Sequence, residues 1–277
     1  MASSSIEPFR IDLGDRVVDG LSAGPTSSSN LPLVLLHGIG SAARSFEAVL
    51  PLVAADRRVI AWNAPGYGGS TPPDRDAPDA GDHADILLRL LDALGFGRVH
   101  LLGHSLGAIV AARFAADHPD RIDTLALASV AHGHARLDPE KRRAALDARL
   151  DDLADLGPRG LAEKRGPRLL GPGASAAAIR SVVETMAAID PVGYARAARL
   201  LAGADVLADV ARLPAAMPLL VLWGDTDVIT PPAANRAVVD LRPGCREVVV
   251  ASGGHAIYVE KPAEFATAVN AFLGERP

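Results

Sequence analysis

Ser105 stands in Gly103-His104-Ser105-Leu106-Gly107, a Gly-x-Ser-x-Gly pentapeptide between an apolar run over 99–102 and an alanine-rich stretch over 108–116. The run predicts a buried strand and the stretch a helix, so the serine falls where a strand turns sharply into a helix. Glycine two residues before and two after suits such a turn, because backbones approach too closely there for Cβ atoms. The hydroxyl is then held out at the top of a sheet as a nucleophile. The first N–H groups of the helix have no partner inside it and can receive a developing oxyanion, with Leu106 N–H the first candidate donor. A serine hydroxyl is a weak nucleophile at neutral pH, so the chain must also supply a base and an acid that orients it.

Three further stretches supply candidates. His37-Gly38-Ile39-Gly40 follows the apolar run 31–36. Glycines after a central strand let the backbone pass close to a ligand, and Ile39 N–H can then face the same point as Leu106 N–H, completing an oxyanion hole. The same residues also read as a plain glycine turn with His37 a satisfied polar side chain. Gly224-Asp225-Thr226-Asp227 follows the run 218–223, where a carboxylate past the end of a buried strand is placed to orient an imidazole. Asp225 and Asp227 compete for that part. His255, in Gly253-Gly254-His255-Ala256 after the run 246–250, is the candidate base.

The elements that must position these residues follow from periodicity. Apolar runs at 31–36, 99–102 and 218–223 predict buried strands, and 58–62, 122–128 and 246–250 read as further strands. Helical patterns lie at 41–54, 82–94, 108–116 and 262–273, with Pro51 either kinking the first or starting a new turn. Repeated strand and helix units define an α/β class with a mostly parallel, doubly wound sheet. Residues 9–13 and 16–19 alternate around Gly14-Asp15, as an edge hairpin or an ordered arm. Loop 63–70 follows a strand and should face the site, with Tyr67 either touching substrate or packed.

From 131 to 212 strand patterns stop. Helical stretches rich in Ala, Arg, Asp and Leu are broken at Gly157-Pro158, Gly166-Pro167 and Gly171-Pro172-Gly173. This predicts a helical cap, 131–212, inserted into a core formed by 1–130 and 213–277. Arg142, Arg143, Arg165, Arg168, Arg180, Arg196 and Arg199 are read as mostly solvated helix faces, one or two of which could reach an anionic substrate group. His132 and His134, at the junction, belong either to a hinge or pocket rim or to an exposed loop.

Composition narrows the function classes. The chain has 277 residues, nearly half of them hydrophobic, enough for one large domain with an insertion. A net charge of -5 and scattered basic residues give no field for nucleic acid. Cys245 is the only cysteine, which excludes an intrachain disulfide and a cysteine-based metal site. Residues 1–8 lack a charged and an apolar leader region, and no run is as long as a membrane span. A soluble, cytoplasmic protein without a membrane partner is expected.

The order serine, acid, histidine, each after a strand, resembles the α/β-hydrolase fold superfamily. The resemblance runs from about residue 31 to the end. It rests on His37-Gly38-Ile39-Gly40, Pro65-Gly66-Tyr67-Gly68-Gly69-Ser70, the serine pentapeptide, Gly224-Asp225-Thr226-Asp227 and Gly254-His255. It implies Asp227 as the acid, three residues after the glycine, and Ile39 N–H as the second oxyanion donor. Within the superfamily the chain is most similar to cap-bearing esterases, enol-lactonases and meta-cleavage-product hydrolases. Ser105 argues against the haloalkane dehalogenases and epoxide hydrolases, whose nucleophile is an aspartate. Ala256 stands where carbon–carbon bond hydrolases usually carry tryptophan.

The resemblance therefore implies a serine hydrolase with Ser105, Asp227 and His255 as triad. It would cleave an ester or lactone of a small, mainly apolar substrate through an acyl-enzyme, without metal or organic cofactor. A carbon–carbon bond hydrolase and a non-catalytic small-molecule receptor on the same fold are the alternatives, and a helical cap can supply a dimer surface.

Overall fold

The computed structural model describes residues 5–274. Residues 1–4, part of the stretch read above for a leader, lie outside the described residues, as do 275–277.

The sheet is built from β1 (Glu7–Asp12), β2 (Val17–Ala23), β3 (Leu33–Leu36), β4 (Val59–Trp62), β5 (Val99–His104), β6 (Ile122–Ala128), β7 (Leu219–Gly224) and β8 (Arg246–Val250). Its order is β1-β2-β4-β3-β5-β6-β7-β8. The pairs from β4 to β8 are parallel, whereas β1 pairs with β2 and β2 with β4 antiparallel, so the alternating residues around Gly14 do form a hairpin at the sheet edge.

The central strands are buried along their whole length because helices cover both faces. On β5, Val99 and Leu101 join one apolar cluster and Leu102 the other, as alternation across a strand requires. The first cluster receives α2 (Ala80–Ala93), α3 (Leu106–Asp117) and Val238 of α8 (Pro232–Leu241). The second receives α1 (Leu50–Val53), α9 (Ile257–Glu260) and α10 (Pro262–Gly274), with Phe265 fully buried and Phe272 nearly so. The amino end of α2 is fixed by Asp79, whose carboxylate accepts from Gly81 and Asp82 N–H while Asp82 reaches back to Asp79 N–H.

One predicted element differs. The helix expected over 41–54 is instead a single 3₁₀ turn, Ala43–Phe46, followed by the short α1. Phe46, Val49 and Leu50 are all fully buried, so the apolar spacing was genuine. Pro51, lacking an N–H, sits at the start of α1 and opens a new turn instead of continuing the old one.

Between β6 and β7 the chain forms α4 (Pro139–Arg165), α5 (Ala176–Ala187), α6 (Pro191–Gly203) and α7 (Val206–Arg212). Gly157 interrupts α4 with φ 63° and ψ 177°, immediately before Pro158. α5 and α6 both pack on α4, and α5 also meets α9 and the 43–46 turn of the core. Among the described residues no helix is long and apolar enough to cross a membrane.

Candidate active site

β3 and β5 are neighbours although β4 lies between them in sequence, so the chain direction across the sheet reverses at their carboxyl ends. Such a switch point opens a crevice where loops of adjacent strands meet. Leu36 is paired with Gly103, which sets the 37–40 loop beside Ser105. The contact is close: a Cβ built on Gly38 would stand 2.9 Å from the Ser105 Cβ, and one on Gly107 only 2.2 Å from the Leu36 carbonyl oxygen.

Ser105 caps α3 with φ 56° and ψ -114°, a conformation rare for any residue but glycine. Such backbone costs of order 1–3 kcal/mol and persists only where packing over-determines it. The Gly103 and Gly107 contacts supply that constraint. Ser105 Oγ accepts or donates no hydrogen bond among the described residues, and it lines the same cavity as His255 and Ile39. Contacts between nucleophile and base are commonly loose in an unliganded site. The N–H groups of Ile39 and Leu106 likewise have no partner among the described residues.

The 37–40 loop is tied down from two sides. His37 is buried, its Nε2 accepting from Ala64 N–H at 3.0 Å and its Nδ1–H donating to Gly38 O at 2.8 Å. Burial pushes its pKa down to about 4, so the ring is neutral. Tyr67 is also buried, and its hydroxyl accepts from Gly40 N–H at 3.2 Å. Of the two readings of Tyr67, the packed one describes its geometry, yet what it holds is the loop carrying Ile39.

Asp227 and His255 meet at 2.8 Å between Oδ2 and Nδ1. Both are buried, 3 % and 4 % exposed respectively. Asp225, the competing acid, is exposed and makes no contact with the imidazole. Burial alone would raise the Asp227 carboxyl. It is outweighed by the hydrogen bond and charge of His255 and by the Thr230 hydroxyl and N–H, leaving the pKa lowered to about 2. Asp227 Oδ1 accepts from Ile229 and Thr230 N–H at 2.8 and 2.9 Å, and Thr230 Oγ1 donates to Oδ2 at 2.7 Å. Asn235, fully buried on α8, donates to Thr230 O and accepts from Val130 N–H, joining this loop to the end of β6.

Ser105, Asp227, His255, Ile39 and Leu106 are thus gathered at the carboxyl ends of β3, β5, β7 and β8. The sequence reading gave no part to Thr230, His104, Glu260 or Arg149. Glu260 Oε2 accepts from both Gly254 and Gly171 N–H at 2.9 Å, and Ala256 N–H donates to Leu169 O at 2.7 Å. The histidine loop is therefore fastened to the segment after α4. Only Arg149 carried a readable signal: it lies one turn before Leu153, the buried residue of the first half of α4, and so shares its inward face. Among the described residues no group of three or more His, Cys, Asp or Glu side chains is arranged to hold a metal ion.

The fold is shared with known proteins. Residues 32–262 match the alpha/beta hydrolase fold family, and the chain belongs to it. A candidate carbamate hydrolase, RutD, of Caulobacter sp. (strain K31) is 28% identical over 264 residues, covering 92% of this chain and 96% of the relative. Among solved structures, a thermophilic esterase from Thermogutta terrifontis superposes with a TM-score of 0.83 at 26% identity, covering 96% of this chain and 98% of the other. The enol-lactonase from Burkholderia xenovorans LB400 superposes with a TM-score of 0.85, covering 96% and 100%, and at 22% identity shares the fold alone.

Proposed function

We propose that this protein is a serine hydrolase that cleaves a carboxylic ester or lactone of a small substrate through an acyl-enzyme. The observation that carries the reading is the buried 2.8 Å contact of His255 Nδ1 with Asp227 Oδ2 beside a cavity shared by His255 and the strained Ser105. With Nδ1–H donated to the carboxylate, Nε2 is the free base. It takes the Ser105 proton as Oγ attacks the carbonyl, and returns it to the leaving alcohol or enol oxygen. The N–H groups of Ile39 and Leu106 receive the oxyanion of the tetrahedral intermediate. Water then attacks the acyl-enzyme by the same route, regenerating Ser105. The named activities of the esterase and of the RutD relative, both acyl transfers to water, support this reaction class. Residues 131–212 act in this reading as a cap: Arg149, Leu169, Met186, Tyr194 and Leu201 roof the cavity over Ser105.

The test is a kinetic cycle on 4-nitrophenyl butyrate and a matched lactone panel. Ser105→Ala and His255→Ala should each lower kcat by about 10⁴-fold or more, and the double variant should lose little further, because the residues act as one unit. Losses that multiply in the double variant would contradict a triad.

A further inference from the structure

The cavity over Ser105 has an uneven charge distribution. Its wall carries Arg149, Arg165 and Arg168 together with His132 and His134, and no Asp or Glu. Arg165 is committed to Asp152, which accepts from both its Nε and its Nη2. Arg149 and Arg168 have no carboxylate within ion-pair distance among the described residues, unlike Arg136, Arg159, Arg196 and Arg212 of the same helical segment, each of which is paired.

Arg149 is the half-buried one. Its guanidinium is 3.4 Å from the Tyr194 hydroxyl, and the Tyr194 ring lies 3.6 Å from where a Cβ on Gly40 would stand. Arg149 therefore sits on the side of the cavity formed by the Ile39 loop. Burial and then the charge of Arg149 hold His134 below the ordinary imidazole range, and its buried Nδ1 has no hydrogen-bond partner. A half-buried cation with only a phenol as partner is poorly compensated, and a carboxylate matches its planar fork with two parallel hydrogen bonds. The cavity, about 260 Å³, is also lined by the apolar side chains of Ile39, Met186, Leu201 and Leu169. That volume and lining suit a short apolar chain beside the cationic wall.

We infer that the substrate is a short-chain acid-ester or acid-lactone, whose free carboxylate is bound by Arg149, with Arg168 assisting, while Ser105 attacks its other end. The inference rests on the hydrolase reading above and names the substrate class for that site. Arg149 is in this role a specificity-determining residue.

The experiment has two arms. In the first, mono(4-nitrophenyl) adipate and its methyl ester are compared by kcat/KM. The wild type should prefer the free acid by about tenfold or more, and Arg149→Met should bring the ratio of the two near one. Arg143→Met, an exposed arginine outside the cavity, should leave the ratio as it is. In the second arm, calorimetry follows binding of monomethyl adipate to Ser105→Ala, which needs no turnover. Binding should exceed that of dimethyl adipate by about tenfold and be lost in Ser105→Ala/Arg149→Met. Inorganic phosphate should compete weakly.

Arginine-dependent binding without turnover of any ester would uphold the carboxylate site and sink the hydrolase reading. Turnover of both esters at equal efficiency, with no binding preference for the acid, would overturn the inference and leave the hydrolase standing. Phosphate binding tighter than monomethyl adipate would also overturn it.

Discussion

His104 Nε2 lies 2.8 Å from the backbone oxygen of His255, and the two rings are 4.7 Å apart. The residue just before the proposed nucleophile thus holds the backbone of the proposed base. Burial, followed by the charge of His255, pushes His104 down to about 3, so it is neutral and its one ring N–H is the donor. Ser129 Oγ donates to the same oxygen at 3.0 Å. Misplacing a catalytic group by about 1 Å can cost about 100-fold in rate. His104→Leu should lower kcat by about 10- to 100-fold, and His104→Gln, which retains a donor, should recover part of it. Equal kcat for Leu and Gln variants would mean that the hydrogen bond does not position His255.

The acid can be tested against its neighbour. Asp227→Asn should reduce kcat/KM by about 10³- to 10⁴-fold, because an amide cannot fix the same imidazole tautomer or stabilise the imidazolium. Asp225→Asn, on the exposed side of the same loop, should stay within about twofold. Steady-state kinetics on one ester decides between them.

Steric closeness at the elbow makes a stability prediction. Gly107→Ala would drive a methyl group to 2.2 Å from Leu36 O and 2.7 Å from His37 O, both backbone atoms of the central sheet. It should destabilise by about 2–3 kcal/mol or more in urea unfolding. Gly203→Ala, at the end of α6 with open space around it, should be neutral or stabilising by up to about 1 kcal/mol.

Three buried histidines set the acid limit. Burial lowers His37 and His83 to about 4 and His104 to about 3, against 6.5 for a free imidazole. Below pH 6.5 the unfolded chain binds protons that the folded chain refuses. Stability is therefore fully present above that pH and falls on acidification toward pH 4, by at most about 1.4 kcal/mol per pH unit for each histidine. Asp227, lowered from 3.8 to about 2, adds a loss only below pH 4. Tm should drop from pH 7 to pH 5, and His83→Gln, remote from the site on α2, should flatten the slope by about one third. A Tm independent of pH over that range would contradict neutral burial of these rings.

The elements around the Ser105 turn were legible because each leaves a strong local mark. That turn needs glycine at 103 and 107, and strands buried on both faces, such as β3 and β7, read as unbroken apolar runs. Asp227 and Asp225 could not be separated locally, since both follow β7 within three residues. The choice is made by Thr230 and the turn N–H groups, which fold the chain back onto Asp227. His104 and Glu260 were unreadable in their roles for one reason. Each acts on a partner far away in sequence, 151 residues for His104 and 89 for Glu260, so no spacing encodes the contact. The 41–54 stretch shows the opposite error, where helical spacing was real and one proline decided the backbone.

The central claim is that Ser105 is an activated nucleophile, and intact mass after treatment with a fluorophosphonate probe tests it most directly. The wild type should gain the mass of a single phosphonyl adduct, and Ser105→Ala should gain none. No adduct on the wild type, or the same adduct on Ser105→Ala, would contradict the assignment of Ser105.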